Sequence, residues 1–141
     1  MLKVGREYGL RAVRYPYEPV FPSWRASQQN LGQKLLSLLF LLPWLYLLKK
    51  QLRQARVRSN HFIFGMNDSG NMHLNLVLRF LQHLPSGVTE IYFHPASHSF
   101  PGTGQVVSNY HCEEELATLT SSAFKEALRN SDIQCIVFSD L

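Results

Sequence analysis

The stretch Val88–Ala96, VTEIYFHPA, decides how this chain is read. Val88, Ile91 and Phe93 favour extended backbone, and Val-Thr-Glu-Ile-Tyr-Phe reads as a strand. The strand runs straight into His94-Pro95. Pro95 cannot extend a sheet ladder, and it biases His94 towards an extended backbone. The imidazole is thereby held where a strand ends and a loop begins. In parallel α/β sheets and barrels, that C-terminal edge is where chemistry is placed. A His there can donate, accept or shuttle a proton near neutral pH. A His that merely finishes the strand is the bland alternative.

The segments on either side repeat one pattern. Leu2–Tyr8 reads as a helix closed by Gly9, and Leu10–Arg14 as a short strand stopped by Tyr15-Pro16-Tyr17-Glu18-Pro19. Ser23–Arg58 reads as largely helical, bent or broken at Pro43. His61–Phe64 is a strand ending at Gly65, and Asn67–Gly70 a turn. Met72–Leu84 carries Leu74, Val77, Leu78 and Leu81 at helical spacing, and Pro85-Ser86-Gly87 ends it. Past the opening stretch, Ser97–Cys112 is a polar, glycine-containing loop of the kind that lines sites. Glu113–Arg129 reads as one helix with acids in its first turn, and Ile133–Phe138 as a last strand before Ser139-Asp140. Strand and helix alternate throughout, which argues an α/β fold with parallel strands and about half of a (β/α) barrel over residues 1–141. Parallel strands would bring Arg14, Gly65, His94 and Asp140 to one edge.

Bulk properties set the frame. A chain of 141 residues, 45% hydrophobic and 17% charged, is one modest domain with a core and is no disordered tail. The net charge of +4 draws on Lys49, Lys50, Arg53, Arg56 and Arg58. This cluster suits a solvated helix end, and no nucleic-acid motif accompanies it. Two cysteines without CxxC spacing, Cys112 and Cys135, give no disulfide framework. A reducing, cytoplasmic setting follows as the expectation, and MLKVGREYGL has no signal-peptide core.

The run Leu35–Leu48, LLSLLFLLPWLYLL, is shorter than the ~20 apolar residues of a spanning helix. Pro43 interrupts it, and Lys34 and Lys49-Lys50 flank it. A buried or half-buried helix pair is the first reading. Shallow membrane contact is the second, because Trp44 and Tyr46 with nearby lysines suit an interface.

Spacing argues against several chemistries. His94, His98, His111 and Cys112 match no standard zinc motif, and Pro95 prevents a helical i,i+4 pair from His94 to His98. No glycine-rich phosphate loop occurs. Ser69 lies outside any G-x-S-x-G frame. Arg14 could orient a carboxylate or a substrate oxygen, or simply pair with Glu18.

Four segments, in order, resemble the C-terminal half of the YdjC-like carbohydrate deacetylases: EYGLRAVRYPYE, HFIFGMNDSGNM, LPSGVTEIYFHPA and YHCEEELATLTSSAFKEAL. The TEIYFHPA form is similar to the hopanoid-biosynthesis branch, HpnK. The resemblance implies a distorted (β/α) barrel and a divalent metal, Mg or Zn. It implies hydrolysis of an N-acetyl group from an amino sugar or glycolipid, in that branch an N-acetylglucosaminyl hopanoid. Arg14 matches the family's Arg in R-x-P-x-E, with Pro16 and Glu18 in place as substrate-binding positions. His94 and Pro95 match the His-Pro motif. His94 is then the proton donor or oxyanion partner, and Arg14 an orienting charge.

The family's metal ligands, an Asp and two His, belong to segments upstream of these four. The expectation is a truncated copy, inactive alone, whose activity returns when an upstream ligand-bearing half is fused or co-expressed; the partner is that missing half or a second copy in a homo-oligomer. The rival readings are a non-catalytic remnant that packs against another chain, and a peripheral membrane protein that uses Leu35–Leu48.

Overall fold

A βαβ unit lies at the centre of the computed structural model, which describes residues 2–98 and 110–141. Strand β1 (Phe62–Phe64) pairs in parallel with β2 (Thr89–Ile91), with Phe62 opposite Thr89 and Phe64 opposite Ile91. Helix α4 (Leu74–Gln82) connects them. Side chains alternate along each strand. Phe62, Phe64, Ile91 and Phe93 therefore share one face and pack with buried Leu76, Val77 and Phe80 of α4. The Phe64 and Phe80 rings lie 5.0 Å apart. By the same alternation Glu90, Tyr92 and His94 share the opposite face. Helices around a small parallel sheet make this an α/β arrangement.

Residues 11–17 run alongside the free edge of β1. Ala12 forms a parallel bridge with Arg58, and Ile63 donates to the Tyr17 carbonyl at 3.0 Å. Between these points the buried Asn60 side chain stands in for the ladder. Its oxygen accepts from the Tyr15 N–H at 2.7 Å, and its NH2 donates to the Tyr15 carbonyl at 3.0 Å. The strand read over Leu10–Arg14 is thus a bridged, extended segment, because an amide replaces two backbone partners.

The helices differ from expectation in three places. Ser23–Arg58 is two helices, α2 (Val20–Ser27) and α3 (Leu31–Ala55), separated where Gln28 and Asn30 adopt left-handed backbone. Helix α3 runs unbroken through Pro43. Leu45 and Leu52, beyond the proline, are buried against Tyr15 and hold that half in line. Glu113–Arg129 is also two helices, α5 (Cys112–Thr120) and α6 (Ser122–Arg129). Ser121 between them is extended, and its hydroxyl caps α6 by accepting from Phe124 N–H at 3.1 Å. The N-terminal α1 (Leu2–Glu7) is followed by Gly9 at φ +73°, as read.

Residues 133–137 form no strand; a 3-10 turn, Phe138–Asp140, follows them. Ile136, Val137 and Phe138 stay exposed and line a cavity of about 400 Å³ beside β2. A parallel strand needs cover on both faces, and in this segment only Ile133 is half-buried while residues 134–138 are exposed. Of the Ser97–Cys112 loop, residues 99–109 lie outside the described residues.

Candidate active site at the end of β2

The Phe64 carbonyl accepts from Tyr92 N–H at 2.8 Å, the last ladder contact before His94. The His94 ring then lies between two aromatics. Tyr92 meets it edge-on with centroids 4.5 Å apart, and Tyr110 lies at 4.8 Å. His94 Nδ1 is 3.4 Å from Ser69 Oγ, which donates to the Tyr110 hydroxyl at 3.2 Å. The ring is therefore oriented from three sides. The backbone is fixed as well. His94 N–H donates to Glu115 Oε2, and Met72 N–H to Glu115 Oε1 at 3.2 Å. Glu115 is fully buried, so one carboxylate from α5 fastens the end of β2 to the entry of α4.

Ser69 reaches His94 because the loop after β1 is tightly folded. Gly65 has φ +94°, and a Cβ there would lie 2.5 Å from the Tyr92 carbonyl. Gly70 has φ +81°, and its Cβ would strike the Tyr110 ring at 2.4 Å. Both positions demand glycine on conformation and on space. Beneath the loop lies a buried polar network. Glu18 accepts from Ser23 Oγ at 2.6 Å and from Asn67 N–H at 2.9 Å. Lys34, buried on α3, donates to Ser23 Oγ at 2.9 Å and to Asp68 Oδ2 at 2.7 Å. Each charge in this set has a partner, as buried charges require.

Arg14 pairs with Glu90 rather than Glu18. Its Nε donates to Glu90 Oε2 at 3.0 Å, and its Nη2 contacts the other oxygen, a two-point grip. The guanidinium also lies 5.0 Å above the Tyr92 ring, within cation–π range. Arg14 thus reaches His94 through Tyr92. Its backbone, however, sits three residues before the Tyr17–Ile63 contact. Glu18, not Arg14, follows the end of the extended segment. Pro16 is half-buried between Tyr15 and Tyr17, and Pro95 is exposed beside His94. Asp140 accepts from Val137 N–H at 3.0 Å inside its own turn.

Ser69, Tyr110 and Glu115 complete a setting that sequence patterns did not single out. Their separations from His94 in the chain leave no local signature. Lys34 was visible only as a charge flanking an apolar run. Among the described residues no group of three or more His, Cys, Asp and Glu side chains could hold a metal ion. His98 contacts Ser97 at 3.1 Å, and His111 lies 3.9 Å from Glu114, both exposed. These residues do not by themselves fit a divalent metal.

No curated protein and no solved structure matches the chain. A family model described as YdjC-like protein matches residues 1–130. That span covers the βαβ unit, the His94 edge and α5, so the chain belongs to the YdjC-like protein family, and this membership points to a carbohydrate deacetylase.

Proposed function

We propose that residues 1–141 form the C-terminal half of a (β/α)-barrel N-deacetylase of the HpnK type, acting on an N-acetylglucosaminyl hopanoid. One observation carries this reading: an imidazole at a strand end, oriented by Tyr92, Tyr110 and Ser69, with its backbone fixed by a buried carboxylate. In the reaction, water adds to the acetyl carbonyl carbon, the C–N bond breaks, and acetate and the free amine leave. The amine nitrogen needs a proton as it departs. Ser69 Oγ faces Nδ1, so Nε2 is the atom of His94 assigned to that transfer. Arg14 acts as a positioning residue, clamped by Glu90 above Tyr92. Pro16, Glu18 and Pro95 contribute by shaping the edge. Glu18 does so by holding Asn67 and the loop of Ser69.

The amino-sugar class has support next to the site. The loop that carries Ser69 also forms one wall of a cavity of about 320 Å³, where Asn30, Asn67, Asn71 and Asp68 gather. Amides and acids of this kind exchange hydrogen bonds with sugar hydroxyls. The metal, Mg or Zn, would be held by an Asp and two His contributed by a ligand-bearing half outside these residues.

The test is acetate release from an N-acetylglucosaminyl lipid. The chain alone is expected to release none. Co-expressed with the ligand-bearing half of a hopanoid-type family member, it should release acetate, and His94→Ala should cost about a hundredfold or more. Full activity in that variant removes His94 from the mechanism. That no metal-ligand cluster occurs among the described residues favours a second reading, a non-catalytic chain that packs against a partner. That reading predicts no acetate under any pairing.

A further inference from the structure

Helix α3 has two opposed faces. Lys34, Leu45 and Leu52 are buried, and Leu38 and Leu48 pack beside them towards Tyr15 and Val57. At about 100° per residue these positions form a single stripe. The opposite ridge runs through Leu36, Phe40, Pro43, Leu47 and Lys50, all exposed. Phe40 is 76% exposed, and Trp44 and Tyr46 on the flanks are 67% and 70% exposed. No charged residue falls between Leu35 and Leu48, and Lys49, Lys50, Arg53, Arg56 and Arg58 follow directly. Only 11% of the helix's most apolar 18-residue stretch is buried. This is therefore no core helix, and its apolar ridge is the kind of patch that marks an interaction site.

We propose that this face of α3 docks the protein on an anionic phospholipid bilayer, with the helix lying in the interface. Charge selects the occupant: Lys50 on the ridge and Arg56 just past the helix end, both exposed, complement acidic headgroups, while Lys49 lies over the Tyr15 ring on the packed side. Aromatic shoulders at Trp44 and Tyr46 suit the headgroup level. Spanning is excluded by the packed stripe, which fastens one side of α3 to Tyr15 and places Lys34 against Asp68. Pro43 sets the depth. It has no N–H for the Leu39 carbonyl, and that acceptor needs the water of the interface. The docking surface goes beyond the deacetylase reading and does not depend on it. If both hold, the Lys34–Asp68 pair ties the docked helix to the loop of Ser69, and the His94 edge meets a substrate carried by the lipid.

The experiment is flotation of the full chain with phosphatidylcholine vesicles, with and without about a third phosphatidylglycerol. The chain should float with the anionic vesicles and be released by salt. Leu36→Glu with Phe40→Glu should lower the floated fraction about tenfold or more, with an unchanged circular dichroism spectrum. Lys50→Glu with Arg56→Glu should remove the preference for phosphatidylglycerol. Should the double glutamate variant fail to fold, brominated lipid should quench Trp44 in the unsubstituted chain, a signal that Trp44→Phe abolishes. No flotation with anionic vesicles, or no quenching, overturns the proposal. So does a lipid-free dimer that Leu36→Glu with Phe40→Glu dissociates while vesicles bind nothing; the ridge is then covered by a second copy. Acetate release plays no part in these readouts, so this proposal and the deacetylase reading fail separately.

Discussion

Glu115 shows what one side chain can hold together. Its two oxygens accept from the backbone N–H groups of Met72 and His94, and no part of it reaches solvent. Glu115→Ala leaves the buried Met72 N–H without a partner, at about 1–3 kcal/mol, and the part-buried His94 N–H at the lower end of that range. The expected loss is about 2–4 kcal/mol in a urea melt, with a smaller loss for Glu115→Gln, which keeps one acceptor. An alanine variant as stable as the parent would mean that the carboxylate carries no load. Such a residue is hard to see in sequence. Within EEE at the start of α5, Glu115 looks like its neighbours, an acid favouring the helix dipole. His94 was legible as a strand-end residue because Pro95 marks that end locally, whereas Arg14 lies inside its extended segment, three residues before the Tyr17–Ile63 contact. Ser69 is 25 residues from His94 and 41 from Tyr110, and only the fold brings them together.

At the scale of elements, β1, α4 and β2 were legible from periodicity and from their glycine and proline boundaries. What failed were breaks and continuities decided by tertiary contact. The α2–α3 joint lies in QQN, a sequence with no strong breaker, where Gln28 and Asn30 turn left-handed. Pro43, the strongest breaker in the run, leaves α3 intact. A proline in a helix interior costs about 3 kcal/mol, so packing on both sides of it must exceed that penalty. Pro43→Ala should therefore raise stability. The gain should be about 1–2 kcal/mol after the unfolded chain regains freedom, read from a denaturant midpoint. A loss instead would show that the proline bends α3 to seat Leu45. The final apolar run, Ile133–Phe138, reads as a strand by composition, but a strand exists only where an edge and a cover receive it.

The whole molecule registers pH through the contact between α3 and residues 11–17. Burial raises the Tyr15 phenol above its ordinary 10.0; Tyr17 adds to this, and Arg53 opposes it. The native state then keeps the proton where the unfolded chain releases it. Stability from this group is complete below 10.0 and is lost as pH rises through the raised native value. Urea midpoints between about pH 8 and 11 should fall along that path, and Tyr15→Phe should flatten the fall. An equally steep fall in the variant would assign it to other groups. The same contact depends on Asn60. An amide has a different group at each end, so it works as a directional key. In the observed alignment its oxygen meets the Tyr15 N–H, and its NH2 meets the Tyr15 carbonyl. A slip by one residue one way presents Pro16, which has no hydrogen to give. A slip the other way presents Arg14 and turns every side chain of the segment over. One buried asparagine thus encodes the alignment of a neighbour too irregular to set its own, and Asn60→Leu would erase that instruction while keeping the volume.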